Sequence, residues 1–186
     1  MLLGDMEILK EIVSEIPQKY FFIKAKIDID SEYLIKKIEE GIKLENNLNY
    51  KTNVKGLVTS WDYFLTDEKF LVPLLNILNL YDDLAAKHHY FKKNYFLKDA
   101  WGIKENQSHY TMRHDHIPSL ASGVIYLNKH PQKLHFHQIN EIVDCFEGSF
   151  CLFSSFLDHN SYPWRNLNTE PRYGISFNLH EKETTK

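Results

Sequence analysis

The chain has 186 residues, 43% of them hydrophobic and 25% charged, which is a one-domain length with ordinary globular composition. Collagen-like, low-complexity and wholly disordered chains are excluded. A formal net charge of -3 does not support a general nucleic-acid binder, which usually carries a basic excess, so a nucleic-acid partner is not expected.

Two cysteines, Cys145 and Cys151, make neither a disulfide framework nor a zinc cluster, so a reducing, cytoplasmic compartment is expected. Met1 to Glu7 has early acids and no long apolar core, unlike a secretory signal. The most apolar stretch, Leu71 to Leu80, is broken by Pro73, Asn76 and Asn79 and is too short to span a bilayer. The unusual count is histidine. Eight of the 10 lie after residue 100: His109, His114, His116, His130, His135, His137, His159 and His180.

In chain order, Ile8, Ile12, Val13 and Ile16 recur at helical spacing, so Glu7 to Ile16 is predicted helical, stopped by Pro17. Tyr20 to Ile27 is aromatic and β-branched and reads as a strand. Asp30-Ser31 offers an N-cap for a helix through Leu34, Ile35, Ile38 and Ile42. Glu45 to Lys55 is rich in asparagine and reads as a loop. A second helix is predicted from Asp67 to about His89, with Pro73 near its start.

After residue 93 the pattern changes. Asn94 to Ile103, His109 to His116, Leu120 to Asn128, Leu134 to Ile139, Ser149 to Phe153 and Arg172 to His180 read as short strands. Turn signals separate them: Asn106-Gln107-Ser108, Pro118-Ser119, Lys129-His130-Pro131, Glu147-Gly148 and Asn166 to Pro171. Such a series implies a sandwich, barrel or jelly roll. The expected class is therefore α+β. Residues 1–186 form one domain, with 1–93 a mainly helical support and 94–180 the β core.

His114 and His116 would share one face of a strand and Asp115 the other. Two imidazoles at i and i+2 can grip a metal, although a lone pair of this kind is often two surface histidines at a strand end. Pro118 follows, so alternation can relax at Asp115 or His116. His159 follows the apolar strand Phe150 to Phe153, and alone it would read as a loop histidine. Arg172 opens an otherwise apolar strand, where an unpaired charge is expensive. Its partner is either a protein carboxylate or a ligand carboxylate held in a bidentate fork.

The order of these pieces is Trp101, His114 and His116, Ser122-Gly123, Tyr126-Leu127, Phe153-Ser154-Ser155, His159, Arg172 and Ser176-Phe177-Asn178. It resembles the iron(II)/2-oxoglutarate-dependent dioxygenase superfamily, in particular the small oxygenases with a prolyl-hydroxylase-like core. The resemblance covers roughly residues 94 to 180. It implies a double-stranded β-helix, a jelly roll with N-terminal helices packed on its outer sheet. It implies His114, His116 and His159 as iron ligands. Most of the superfamily has a carboxylate where His116 stands, and Asp115 is the alternative third ligand.

The resemblance further implies 2-oxoglutarate as co-substrate. Arg172 would bind its distal carboxylate, with the Tyr126 hydroxyl as a second partner and Ser176 assisting. No catalytic side chain beyond the metal centre is implied. The reaction would consume molecular oxygen, decarboxylate 2-oxoglutarate to succinate and hydroxylate a peptidyl or small-molecule substrate. The alternative is a non-catalytic or cupin-like metal-binding jelly roll. Cupins usually add a Glu a few residues beyond the paired histidines, and Ile117, Pro118, Ser119 and Leu120 stand there instead.

Three other features read as structural. His135-Phe136-His137 has no matching distal ligand. Lys87 to Tyr95 is basic and aromatic but brief, in an acidic chain. Trp61, Trp101 and Trp164 read as core or pocket wall.

Overall fold

The computed structural model describes residues 6–14, 19–44, 52–89, 91, 94–165 and 170–182. Their elements are β1 (Met6–Ser14), β2 (Tyr20–Ile27), α1 (Ser31–Leu44), β3 (Val54–Lys55), β4 (Leu57–Val58), α2 (Glu68–Lys87), β5 (Tyr95–Glu105), β6 (Tyr110–His114), β7 (Ala121–Tyr126), β8 (His130–Phe136), β9 (Glu141–Cys145), β10 (Ser149–Ser154), β11 (His159–Ser161) and β12 (Arg172–Glu181). The strands form two antiparallel sheets. One runs β1-β2-β10-β7-β12-β5-β4 and the other β3-β6-β11-β8-β9. Consecutive strands from β5 to β12 are dealt between the two sheets, four to each, which is the double-stranded β-helix.

The period of two in the β core decides which residues face the site. On β7, Val124 and Tyr126 face inward, while Ile125 packs outward. On β10, Cys151 and Phe153 face inward, while Phe150 and Leu152 pack outward. Both faces of this sheet are therefore buried, and its strands read as near-continuous apolar runs. The outer face carries α1 and α2, whose Leu34, Ile38, Leu74, Ile77 and Tyr81 join that second core. Asp67 caps α2, its carboxylate accepting from the Phe70 N–H at 3.1 Å.

Gly148 makes the β9–β10 turn possible. Its φ is +74°, and a Cβ there would stand 2.1 Å from the Ile27 carbonyl oxygen.

Three expectations are corrected. Residues 6–14 are a strand, not part of a helix. β2 presents a free edge, and pairing along it outweighs the local helical spacing of Ile8, Ile12 and Val13, all β-branched types that suit strands. Ile16 and Pro17 lie outside the described residues, as do residues 45–51 of the predicted loop and 166–169 of the last predicted turn.

The strand around Leu134 begins earlier, at His130, so His130-Pro131 is not a turn. Pro131 sits where the β8–β9 register shifts, the position at which a sheet tolerates a residue with no N–H. Residues 137–139 form a short 3-10 turn rather than strand. Asn140 then adopts φ 52°, and the unpredicted β9 follows.

Candidate metal centre

The core strands deliver three imidazoles to one end of the inner face. His114 closes β6 and His159 opens β11, and the two are paired directly across the ladder. His116 lies two residues beyond β6. There its backbone N–H donates to the Ser155 carbonyl at 2.8 Å, and its ring stacks on His159 at a centroid distance of 5.1 Å and 11°. The nitrogens of His114, His116 and His159 available to a cation all lie within 4.8 Å of one another. Asp115 stands outside this cluster. Its carboxylate accepts from the Ile117 N–H at 3.1 Å and so shapes the turn.

Each imidazole is oriented by an oxygen on its other side. The Nδ1 atoms of His114 and His159 lie 2.8 and 3.1 Å from the carbonyls of Met112 and Leu157. His116 Nδ1 lies 2.9 Å from Asn178 Oδ1, which also accepts from the Ser122 hydroxyl at 2.7 Å. Nδ1 must therefore carry the proton in all three rings, which leaves every Nε2 with a free lone pair. The Nε2 atoms of His116 and His159 then face each other at 3.4 Å with no proton between them. Two lone pairs so placed repel, and a shared cation removes the conflict.

Burial, reinforced by the neighbouring imidazoles, holds His116 down to about 3 and His159 well below the usual histidine range; His114 is lowered by burial too. All three are neutral at pH 7, the state that binds metal. The donor set fits a borderline divalent cation such as iron(II), because imidazole suits that ion.

The cavity beneath the cluster holds roughly 550 Å³ of empty space, part of it open to solvent, and is floored by Arg172. Tyr126 and Ser176 line it as well. The Arg172 guanidinium lies over the Tyr126 ring at 5.5 Å and is 5% exposed. Burial draws it down to about 9. It is ion-paired with Glu105, which is fully buried. The protein thus supplies a carboxylate for Arg172 in this state.

Sequence reasoning passed over Glu105. Its signal was its place at i+4 from Trp101 on β5, which puts both on the inner face. Asn178 was quoted in the Ser-Phe-Asn motif without a role, and here it orients His116.

Other residues take structural places. His137 Nε2 pairs with Asn160 Oδ1 at 2.5 Å, and His135 packs against Tyr162. Trp61 and Trp101 meet edge to face at 4.5 Å beside His116. No described helix is long and apolar enough to cross a membrane.

A double-stranded β-helix with three inward-facing imidazoles at one end of a cavity and a buried arginine on its floor defines the class: a jelly roll with a candidate metal centre. Solved structures extend that description. A Pseudomonas putida prolyl-4-hydroxylase superposes with a TM-score of 0.65 and 14% identity, covering 87% of this chain and 93% of its own. The viral collagen prolyl hydroxylase of Paramecium bursaria Chlorella virus-1, in complex with 2-oxoglutarate, gives 0.61 and 13%, covering 87% and 96%. HygX from Streptomyces hygroscopicus, with nickel and 2-oxoglutarate bound, gives 0.54 and 10%, covering 86% and 82%. The chain has the jelly-roll fold of these structures, with a prolyl-hydroxylase-like core. No protein-family model and no curated protein matches its sequence.

Proposed function

We propose that the chain is an iron(II)- and 2-oxoglutarate-dependent oxygenase that hydroxylates a peptidyl or small-molecule substrate. The observation that carries this reading is the trio His114, His116 and His159, with two bare Nε2 atoms at 3.4 Å, at one end of a cavity floored by a buried arginine. The neighbours support it: the viral hydroxylase binds 2-oxoglutarate, and HygX binds nickel with 2-oxoglutarate. The Nε2 atoms of His114, His116 and His159 would hold iron(II), which would supply the redox chemistry for the reaction with molecular oxygen.

The remaining work falls to the chain's own residues. Met112, Leu157 and Asn178 hold the imidazoles in one tautomer. Arg172 anchors the distal carboxylate of 2-oxoglutarate, with Tyr126 and Ser176 beside it. Val124, Phe153 and Trp101 form an apolar wall that limits water around the site. Two buried free thiols, Cys145 and Cys151, suit a reducing cytoplasm.

The test is anaerobic thermal melting with iron(II), with and without millimolar 2-oxoglutarate. A ligand at a hundred times its Kd stabilises the native state by about 2.7 kcal/mol. At this chain length that is a rise of roughly 5–10 °C. Iron(II) should raise the melting point, and 2-oxoglutarate should raise it again only when metal is present. A metal shift with no further 2-oxoglutarate shift sinks the oxygenase reading and leaves the cupin-like metal binder.

A further inference from the structure

The residue that the sequence reading passed over is the one that most constrains how the cavity works. Glu105 and Arg172 face each other across the β5–β12 ladder, so the register of two core strands, not a flexible loop, places them together. Glu105 is fully buried. One of its carboxylate oxygens takes Arg172 and the other accepts from the Thr111 hydroxyl at 3.2 Å. The β3–β4 connection closes over it at Gly56, where an added Cβ would stand 3.1 Å from Glu105 Cγ and 2.9 Å from the Lys104 carbonyl.

Arg172 has few other partners. Its Nη2 lies 3.4 Å from Ser161 Oγ, and its Nη1 lies 3.7 Å from Cys145 Sγ. A guanidinium offers five N–H donors, so Glu105 supplies its only carboxylate contact among the described residues.

We propose that Glu105 is a resident carboxylate ligand of Arg172, a specificity-determining residue that competes with the distal carboxylate of an incoming 2-oxo dicarboxylate. The inference rests on the function proposed above. An incoming carboxylate must share Arg172 with Glu105 or displace it, and until it does the two anions repel in a buried site where charges are poorly screened. Glu105 therefore weakens binding of a co-substrate that ends in a second carboxylate. A 2-oxo acid with a neutral tail escapes the penalty.

The experiment compares the full chain with Glu105→Gln, both loaded with manganese(II) under argon, by titration calorimetry. The probes are 2-oxoglutarate, glutarate and 2-oxobutyrate. Glutarate carries the carboxylate without the keto group, and 2-oxobutyrate carries the keto acid without the distal carboxylate.

Glu105→Gln should bind glutarate and 2-oxoglutarate about tenfold tighter, and 2-oxobutyrate should change by less than about twofold. Unchanged or weaker glutarate binding overturns the proposal. If glutarate tightens but neither protein binds 2-oxoglutarate, the competition stands and the co-substrate reading falls. Should Glu105→Gln fail to fold, Thr111→Val removes one hydrogen bond that holds the carboxylate in place. It should tighten glutarate by about threefold, and no change overturns the proposal.

Discussion

The metal-free protein should be unusually sensitive to mild acid, and the three imidazoles set the pH window. His116 is held down to about 3 and His159 well below the usual range, both by burial. In the unfolded chain each titrates near its ordinary value of about 6.5. Below pH 6.5 the unfolded chain therefore binds protons that the folded chain refuses. Stability is present in full above that pH and is lost as the pH falls.

At pH 5 His116, held down to about 3, contributes a loss of about 2 kcal/mol, and His159, lowered in the same direction by burial, adds to it. His116 alone brings the slope to about 1 kcal/mol per pH unit. His114 shifts in the same direction and adds to it. Against a typical stability of about 5–15 kcal/mol, that loss is large. The ion-paired acids Glu39 and Glu141, whose pKa values are lowered, lose their contribution only below about pH 4.5, so the two windows separate.

The assay is urea unfolding of chelator-treated protein, followed by tryptophan fluorescence at half-unit steps from pH 8 to 4.5. His116→Gln should be flatter by about 1 kcal/mol per unit below pH 6, and His159→Gln should be flatter too. A wild-type curve level from pH 7 to 5, or a variant with the wild-type slope, refutes the linkage.

Four further outcomes follow from the same contacts. Asn178→Ala removes the acceptor that orients His116 and should weaken metal affinity by about 10- to 100-fold, read by competition with a chromogenic chelator. Asp115→Ala should leave metal affinity within about twofold, because the structure places that carboxylate in a turn; a loss matching that of His116→Ala would make it the third ligand. Arg172→Ala strands a buried carboxylate and should destabilise by about 3–5 kcal/mol in urea melts, with the double variant Glu105→Ala/Arg172→Ala losing less than Arg172→Ala alone. Gly123→Ala drives a Cβ to 2.4 Å from Phe177 Cζ and 2.9 Å from the Cys151 carbonyl, and should lower stability by about 1–3 kcal/mol in the same melts.

What could be read in the sequence follows the range of the interactions involved. The β core was legible because its turns are written locally: Gly148 at positive φ and Pro118 after His116 punctuate the chain wherever it folds. The helices α1 and α2 were legible because Asp30 and Asp67 cap them within four residues. β1 was not, because its pattern suits a helix and only the free edge of β2 makes it a strand. His159 read as a loop residue for the same reason. Its three-residue strand exists through pairing with His114 and Phe136, which lie 45 and 23 residues earlier in the chain. The three histidines that the structure brings together could be picked out by order and resemblance, but the oxygens that orient each ring could not. Met112 and Leu157 act through backbone carbonyls, which carry no side-chain signal.

The charge balance of the site joins the two departures from the usual pattern. A two-histidine, one-carboxylate centre with a divalent cation and an anchoring arginine carries two positive charges: two from the metal and one from the arginine, less one from the carboxylate. Here His116 is neutral, so the metal and Arg172 together would carry three. Glu105 removes one and restores the sum to two, matched to the two carboxylates of 2-oxoglutarate. On the proposed function, the negative charge would stand at the far end of the cavity and not among the metal's own ligands. A centre of that kind attracts the keto-acid end of a co-substrate more strongly than usual and its distal carboxylate less strongly. On that reading the His116 position and the Glu105–Arg172 pair would act on opposite ends of one ligand, and substitutions at the two are expected to be non-additive in its binding.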